Sequence, residues 1–181
     1  MLCGIDEAGR GCCAGPLVVA GVVLKNEILG LKDSKKLSES KREELSKIIK
    51  QNALYKVVFC SNKLIDDKGL SYCLNYAIKT IKEHFSECEI LMDGNCSFGV
   101  DGVKTLIKAD TKIPEVSAAS ILAKVSRDNF MYTIAKEFKH YGFEKHKGYV
   151  TPQHVEMIKK YGLSPIHRKS YKIKNLNRTL F

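Results

Sequence analysis

Short apolar runs typical of strands alternate along this chain with segments of helical periodicity, and this alternation limits the fold more than any other feature. Residues 2–5 and Leu17–Leu24 are two such runs, separated by a glycine-rich turn, and Ala53–Cys60 is a third. Their β-branched content predicts a set of antiparallel strands. Between the second and third runs, Ser40 and Glu43 have capping-box spacing, which predicts the start of a helix.

The second half of the chain predicts two further strands and more helices. The stretch EILMDGN indicates a buried strand ending in Asp93, and GVKTLIKAD indicates another ending in Asp110. Helices are predicted for residues 70–85, from Pro114 to about Gly142, and for residues 151–162. This order of elements is typical of an α/β fold with a mixed sheet.

Length and composition narrow the class of protein. The 181 residues are 44% hydrophobic, which favours a single domain spanning residues 1–181 with a short C-terminal helical part from about residue 140. The longest apolar run, Leu17–Leu24, is far shorter than the roughly 20 residues that span a bilayer, and the N-terminal residues lack the pattern of a secretory signal. Seven cysteines without zinc-binding spacing fit free thiols in a reducing compartment, so a cytoplasmic protein is expected.

The charge balance favours a polyanionic partner. Thirty Lys and Arg residues against twenty Asp and Glu residues give a net charge of +10. Such an excess attracts nucleic acid, whereas the alternative is a basic surface that only keeps the protein in solution.

Acidic residues mark the ends of the strand-like segments. Asp6, Asp93 and Asp110 each lie at or near such an end, and Glu7 follows the first of them. Ligand sites of α/β sheets are built there, although any one of these residues taken alone fits a turn or a cap. If the strands are neighbours, the carboxylates crowd together and hard cations relieve their repulsion. Because successive strand residues face opposite sides, Glu7 reaches the same ion directly only if the strand is distorted, and otherwise acts through water or its backbone carbonyl.

A Gly-Arg-Gly sequence, residues 9–11, follows these carboxylates directly. A cation held by the acids binds phosphate, while Arg10 and the main chain of the two glycines are suited to a neighbouring part of the same polyanion. Glycine also lets a sugar-phosphate chain approach the backbone closely. The alternative interpretation is a simple tight turn.

Other interpretations of single motifs stay open at this point. Residues 9–14 fit the dinucleotide pattern G-x-G-x-x-G/A, but that pattern needs a helix where this chain has a strand-like run. Cys12 or Cys13 with a histidine would make a Cys–His hydrolase, although nothing positions a base. The five histidines lack metal-binding spacing and are expected on the surface or in packing. Arg127 and Asp128 fit an ion pair on a helix surface.

Several segments, in order, resemble bacterial ribonuclease HII, the type 2 ribonuclease H enzymes. They are GIDEAGRG at residues 4–11, DSKKLSESKREEL at 33–45, LMDGN at 91–95, KADTKIPEVSAASILAKVSRD at 108–128, and YGFEKHKGY at 141–149 followed by TPQHVEMIKKYG. The resemblance covers nearly the whole chain. It implies the ribonuclease H fold, a mixed five-stranded sheet flanked by helices.

The resemblance also implies a reaction and its metal ions. It identifies Asp6, Glu7, Asp93 and Asp110 as catalytic acids that hold Mg²⁺ or Mn²⁺ for two-metal hydrolysis, which leaves a 3′-hydroxyl and a 5′-phosphate. The implied substrates are RNA–DNA hybrids and duplex DNA with embedded ribonucleotides, and the protein is expected to be a monomer. The alternative from a different functional class is a non-catalytic nucleic-acid binding module on the same fold, whose acidic residues hold a structural ion.

Substrate contacts are implied in three places. The Gly-Arg-Gly motif matches the family element that senses the 2′-hydroxyl at an RNA–DNA junction, the tyrosine of HKGY matches the one that stacks on the following deoxyribose, and DSKKLS offers groups for backbone phosphates. One departure is the Cys12-Cys13 pair, which stands where many members have Pro-Leu. The residues to which substrate binding is assigned in this way are Gly9, Arg10, Gly11, Ser34, Lys35, Lys36 and Tyr149.

Overall fold

The computed structural model describes residues 1–31, 37–173 and 176, which contain a mixed five-stranded sheet with helices packed on both faces. This architecture confirms the predicted fold class. The strands are β1 (Leu2–Ala8), β2 (Leu17–Leu24), β3 (Ala53–Cys60), β4 (Glu89–Asp93) and β5 (Val103–Leu106). The helices are α1 (Glu39–Asn52), α2 (Asn62–Lys68), α3 (Leu70–His84), α4 (Pro114–Glu137), α5 (Phe143–His146) and α6 (Pro152–Tyr161).

The first strand of the chain lies in the middle of the sheet, whose order is β3-β2-β1-β4-β5. β1 pairs antiparallel with β2 and parallel with β4, while β2 and β3 are antiparallel and β4 and β5 are parallel. The antiparallel set predicted for the first three strands is therefore confirmed. Ile5 pairs with Met92, so Asp6 and Asp93 are the next residues along two parallel neighbours. Both carboxylates consequently leave the sheet at the same edge.

Alternate residues of β2 contribute to the apolar core on each face of the sheet. Leu17 and Val19 pack with α3 and the buried residues of β1, whereas Ala20 and Val22 pack with α1 and α4. The period of two that defines a strand explains how this continuously apolar segment serves two layers.

Helix α4 comes closest to the sheet at β1. A side chain at Gly4 would overlap the main chain of Glu115 and Val116, so the absence of a Cβ there lets the first turn of α4 lie directly on the strand. The helix begins at Pro114, as predicted. This close packing carries the next turns of α4 past the end of β1, where the acidic residues lie.

Two local predictions are wrong. The N-cap of α1 is Ser38, whose side chain accepts a hydrogen bond from the Lys41 N–H at 3.2 Å, so Ser40 is already inside the helix and does not form the predicted capping box with Glu43. Helix α4 ends at Glu137, and a short 3-10 turn, Lys139–Tyr141, precedes Gly142.

The strand predicted to end in Asp110 is also shorter than expected. β5 ends at Leu106, and Lys108 then adopts a left-handed conformation with φ of 57°. An extended chain cannot continue through that conformation, and Ala109–Thr111 forms a single 3-10 turn. Asp110 therefore reaches the sheet edge from a turn.

The chain after α4 packs back onto the turn between β1 and β2. Its apolar core joins Tyr141, Phe143 and Ile158 to Met131 of α4. The Arg168 N–H donates to the Cys13 carbonyl at 2.8 Å, which ties this segment to the loop that follows Glu7. Among the described residues, no helix has both the length and the apolar character needed to cross a bilayer.

Candidate active site

An open cleft of about 540 Å³ lies where β1 and β4 end. Asp6, Glu7, Asp93, the Gly-Arg-Gly loop at residues 9–11 and Tyr149 all line it, so most of the residues predicted for substrate and metal binding surround one space. Ser34, Lys35 and Lys36 lie outside the described residues, and their phosphate contacts stay predictions.

Three carboxylates converge at the inner end of this region. One oxygen from each of Asp6, Asp93 and Asp110 lies within 4.8 Å of the other two. Asp6 and Asp110 are buried and Asp93 is partly exposed. The Asp93 Oδ1 accepts a hydrogen bond of 2.7 Å from the Ala109 N–H, which holds the turn containing Asp110 against the end of β4.

The electrostatics of Asp6 combine burial with repulsion from its acidic neighbours. Burial, followed by the charges of Glu7 and Asp93, raises the pKa of Asp6 to about 7, although hydrogen bonds from the Ser120 hydroxyl and the Glu7 N–H oppose the shift. The Glu7 N–H donates to the Asp6 Oδ1 at 2.8 Å. An approaching cation favours the charged state of a carboxylate kept in such surroundings.

Glu7 takes a different position from the other acids. Its Oε1 lies 3.5 Å from the Arg10 Nη1, and Arg10 lowers its pKa against a larger upward effect of burial. The Glu7 Oε2 is buried and has no hydrogen-bond partner among the described residues. Glu7 thus lines the same cleft as Asp6 without belonging to the group of three clustered oxygens, as its alternation along β1 would suggest.

This donor set fits a hard divalent cation. Carboxylate oxygens at this spacing are the ligands that Mg²⁺ and Mn²⁺ accept, and their mutual repulsion is relieved by positive charge. Asp6, Asp93 and Asp110 would hold the ion directly, and Glu7, whose Oε2 has no hydrogen-bond partner in the described part of the chain, lines the adjoining cleft.

The loop after Glu7 is held from behind by a buried arginine. Gly9 has φ of 93°, a conformation that favours glycine, and its carbonyl accepts a hydrogen bond of 2.7 Å from the Arg168 Nη2. The Arg10 carbonyl accepts from the Arg168 Nη1 at 3.2 Å and from the Tyr171 hydroxyl at 2.9 Å. Gly11 is exposed and an added Cβ there would meet no atom within 4 Å, so its main chain is open to the cleft.

The interpretation of Arg127 and Asp128 as an ion pair on a helix surface is wrong. Arg127 is 1% exposed and donates to the carbonyls of Ala14, Pro16 and Lys147 at 2.8–3.0 Å, whereas Asp128 pairs with Lys124 at 2.8 Å. Arg127 therefore links the loop after β1 to the segment that precedes Tyr149.

Tyr149 presents its ring to the cleft and is 45% exposed. The charged groups of Lys124 and Arg127 each lie 5.9 Å from the centre of the ring. The Tyr149 N–H donates to the His146 carbonyl at 2.9 Å. A fixed, half-exposed aromatic ring flanked by cations can stack on a sugar or base while the cations attract its phosphate.

Sequence reasoning missed several groups at the site. Arg42 of α1 and Ser120 and Lys124 of α4 also line the cleft. Ser120, Lys124 and Asp128 are spaced four apart and so lie on one face of the helix, and this polar stripe is the signal that could have identified Ser120 and Lys124. Arg168 gave no comparable signal, because it lies outside any periodic segment.

The structure argues against both alternative motifs. The residues after Gly11 lead into strand β2, so no helix N-terminus is available for a dinucleotide. The Cys13 Sγ does lie 3.6 Å from the His154 Nδ1, but burial raises the pKa of Cys13 to about 11 and lowers that of His154 to about 4. The thiol is therefore neutral and buried, which is the wrong state for a nucleophile.

Comparisons with known proteins agree on one family. The sequence model of that family, described as Ribonuclease HII, matches residues 3–174. The chain is 55% identical to a ribonuclease HII of Sulfurovum sp. (strain NBC37-1) over 181 residues, which covers 99% of this chain and 96% of the relative. It is 56% identical to one of Aliarcobacter butzleri (strain RM4018) over 177 residues, covering 97% and 92%. Among solved structures, the PCNA:RNase HII complex from Archaeoglobus fulgidus superposes with a TM-score of 0.82 at 33% identity, covering 93% of this chain and 92% of that one.

Proposed function

Because the chain belongs to the ribonuclease HII family and is a ribonuclease, we propose that it hydrolyses the phosphodiester on the 5′ side of ribonucleotides, both in RNA–DNA hybrids and in DNA with embedded ribonucleotides. The convergence of the Asp6, Asp93 and Asp110 carboxylates within 4.8 Å at one end of the cleft carries this proposal. A module that only binds nucleic acid needs no such cluster, because clustered carboxylates create a negative potential where a phosphate must approach.

The family depends on divalent metal ions, and we propose Mg²⁺ or Mn²⁺ for this chain. Two such ions would supply an activated water and stabilise the charge on the leaving 3′ oxygen, so that the products would carry a 3′-hydroxyl and a 5′-phosphate. Asp6, Asp93 and Asp110 provide ligand oxygens. Glu7, with its buried free Oε2, takes part either directly or by holding a water, and Arg10 keeps its side chain oriented.

The Gly-Arg-Gly loop supports recognition of the ribose. It follows Glu7 immediately, and Arg168 and Tyr171 hold the carbonyls of Gly9 and Arg10 from behind. The open main chain at Gly11 then faces the cleft with no side chain in front of it. Main-chain groups in that position are suited to a 2′-hydroxyl, the group that distinguishes RNA from DNA.

Tyr149 and the basic side chains of the cleft support recognition of the strand beyond the ribose. We propose that the Tyr149 ring stacks on the deoxyribose that follows the ribonucleotide. Lys124 and Arg42 line the same cleft and carry the positive charge that neighbouring phosphates require. This arrangement favours substrates that contain a 5′-RNA–DNA-3′ step, cleaved on the 5′ side of the ribonucleotide of that step.

The test is cleavage of an end-labelled duplex with one ribonucleotide in otherwise DNA strands, in Mg²⁺, in Mn²⁺ and with chelator. Wild type is compared with Asp93→Asn, and Asp67→Asn serves as the matched control because Asp67 is an exposed carboxylate on α2. We expect a single metal-dependent nick on the 5′ side of the ribonucleotide, reduced at least about a hundredfold in Asp93→Asn and unchanged in Asp67→Asn.

Three results would refute the proposal. A duplex that is bound but stays intact with either metal would identify the protein as a binding module on this fold. A nick at another position would refute the assigned cleavage site. Equal activity in Asp93→Asn would show that the carboxylate cluster is not the catalytic centre.

A further inference from the structure

A buried chain of polar groups lies behind Tyr149, away from the cleft. The Tyr149 carbonyl lies 2.9 Å from the His154 Nδ1, and the His154 Nε2 lies 3.0 Å from the His167 Nε2. At the other end, the His167 Nδ1 lies 2.9 Å from the Ser164 N and 2.8 Å from the Ser164 Oγ. Both rings are fully buried, with exposures of 0% and 1%.

The direction of the hydrogen bonds is fixed independently from each end. A carbonyl only accepts, so the His154 Nδ1 must carry a hydrogen for Tyr149. A main-chain N–H only donates, so the His167 Nδ1 must be unprotonated to accept the hydrogen bond from the Ser164 N–H. The single hydrogen of a neutral His167 is then on Nε2. The two ends therefore agree: the His167 Nε2–H donates to the unprotonated His154 Nε2, and every ring nitrogen has a hydrogen-bond partner.

This arrangement requires both imidazoles to be neutral. A further proton on the His154 Nε2 would place two N–H groups against each other across 3.0 Å, and one on the His167 Nδ1 would do the same with the Ser164 N–H across 2.9 Å. The surroundings keep such a proton out, because burial lowers the pKa of each histidine to about 4 and the positive form of neighbouring His146 opposes it further. The groups that face the two rings are Cys13 from the loop after β1, Tyr141, Phe143 and His146 from the segment before Tyr149, and Ser164 after α6.

The segment that carries Tyr149 depends on such contacts. The chain changes direction at Lys147, which has φ of 51°, and Tyr149 lies beyond the last residue of α5. Its N–H is held by the His146 carbonyl and its own carbonyl by His154. Together these two bonds fix both sides of the residue whose ring faces the cleft.

We propose that His154 and His167 are positioning residues that act on the reaction through the main chain of Tyr149. The inference rests on the stacking role of Tyr149 in the proposed function. The relay is the hydrogen-bonded chain from Ser164 through His167 and His154 to the Tyr149 carbonyl. Its loss frees that carbonyl and lets the Tyr149 ring shift. A displacement of about 1 Å in a group that positions substrate lowers the rate by up to about a hundredfold. The effect falls on substrates that use the stacking contact.

A double-mutant cycle tests this role. The readout is the ratio of kcat/KM on a duplex with one ribonucleotide to kcat/KM on an all-RNA strand paired with DNA. The variants are Tyr149→Ala, His154→Leu, their combination, and His154→Gln, whose amide keeps one donor and one acceptor. His84→Gln, an exposed histidine on α3, is the control.

We expect Tyr149→Ala to lower the ratio about tenfold, the size of one aromatic stacking contact, and His154→Leu to lower it by a similar factor. The double variant should lose no more than Tyr149→Ala alone, and His154→Gln should restore most of the ratio. A purely structural role of His154 would lower both rates and leave the ratio unchanged, as would a general loss of folded protein.

The possible failures are distinguishable. If Tyr149→Ala lowers the ratio but His154→Leu does not, or if their effects multiply, the relay is refuted while the proposed function stands. If Tyr149→Ala leaves the ratio unchanged, the stacking role is refuted and the inference with it. Nitrogen-15 NMR of the wild-type imidazoles at pH 7 adds a direct check that needs no variant: hydrogen on the Nδ1 of His154 and on the Nε2 of His167 is expected, and any other pattern overturns the relay.

Discussion

The two glycines that flank Arg10 make different demands on the chain, and replacing each by alanine separates folding from substrate recognition. Gly9 has φ of 93°, and a Cβ there would overlap the Arg127 Nε and lie 2.6 Å from the Pro16 carbonyl oxygen. Gly11 has open space in front of it. The same chemical change is therefore expected to disturb the fold at one position and only the cleft at the other.

The expected loss of stability for Gly9→Ala follows from two effects. A left-handed conformation disfavours an alanine by about 1–2 kcal/mol. The overlap displaces Arg127, whose Nε–H donates to the Pro16 carbonyl at 3.0 Å, and losing a hydrogen bond with a charged donor costs about 1.5–3 kcal/mol. The sum is about 3–5 kcal/mol, a large part of the stability of a typical domain. For Gly11→Ala we expect a change within about 0.5 kcal/mol.

Urea denaturation gives the free energy of unfolding, and cleavage of the single-ribonucleotide duplex gives kcat/KM for the same preparations. Gly11→Ala should fold like the wild type and still cleave poorly, since its methyl group stands where the sugar-phosphate chain approaches the main chain. Unchanged stability of Gly9→Ala would refute the steric reasoning. Full kcat/KM in Gly11→Ala would show that substrate does not approach the backbone there.

Three further outcomes are expected. Asp93→Asn should raise the free energy of unfolding by about 1 kcal/mol in the absence of metal, since it removes a repelling charge. The same variant should abolish the increase in melting temperature that Mn²⁺ gives the wild type. An undiminished increase in melting temperature would contradict the metal assignment. Because the pKa of Asp6 is raised to about 7, protons compete with metal below that pH, so calorimetric titration should show Mg²⁺ binding tighten as pH rises through 7, and equal affinity at pH 6 and pH 8 would contradict this. His154 and His167 have pKa values lowered from 6.5 to about 4, so the unfolded chain binds more protons than the folded chain between these two pH values. The free energy of unfolding should therefore fall from pH 6.5 towards pH 4 by about 3 kcal/mol per histidine. Denaturation curves at pH 7 and pH 5 with equal midpoints would exclude this coupling.

The sheet and its acidic edge were accessible from sequence because their signals are local. Strand β2 is an unbroken apolar run, and Asp6 and Asp93 each close a short run of the same kind. Asp110 was assigned to a strand end because nothing in the sequence marks Lys108 as the residue where the extended chain stops. The Ala109 N–H that follows it donates to the Asp93 Oδ1 of β4, a partner that a single segment does not reveal.

The support behind the site was not accessible in the same way. Arg127 and neighbouring Asp128 were interpreted as an ion pair on a helix surface, where most charged side chains lie. Arg127 and Arg168 instead bind main-chain carbonyls of Gly9, Ala14 and Lys147, among others. Backbone acceptors leave no trace in the side-chain sequence, so partners of this kind become visible only once the chain is folded.

The hydrogen bonds from Arg168 to the Gly-Arg-Gly loop also limit the order in which the enzyme can fold during synthesis on the ribosome. The guanidinium that holds the Gly9 carbonyl lies 159 positions further along the chain. At synthesis rates of about 5–20 residues per second, the loop waits on the order of ten seconds for its partner. A nascent chain that has already produced Asp6, Asp93 and Asp110 therefore still lacks the contact that shapes the neighbouring loop until Arg168 has been synthesised.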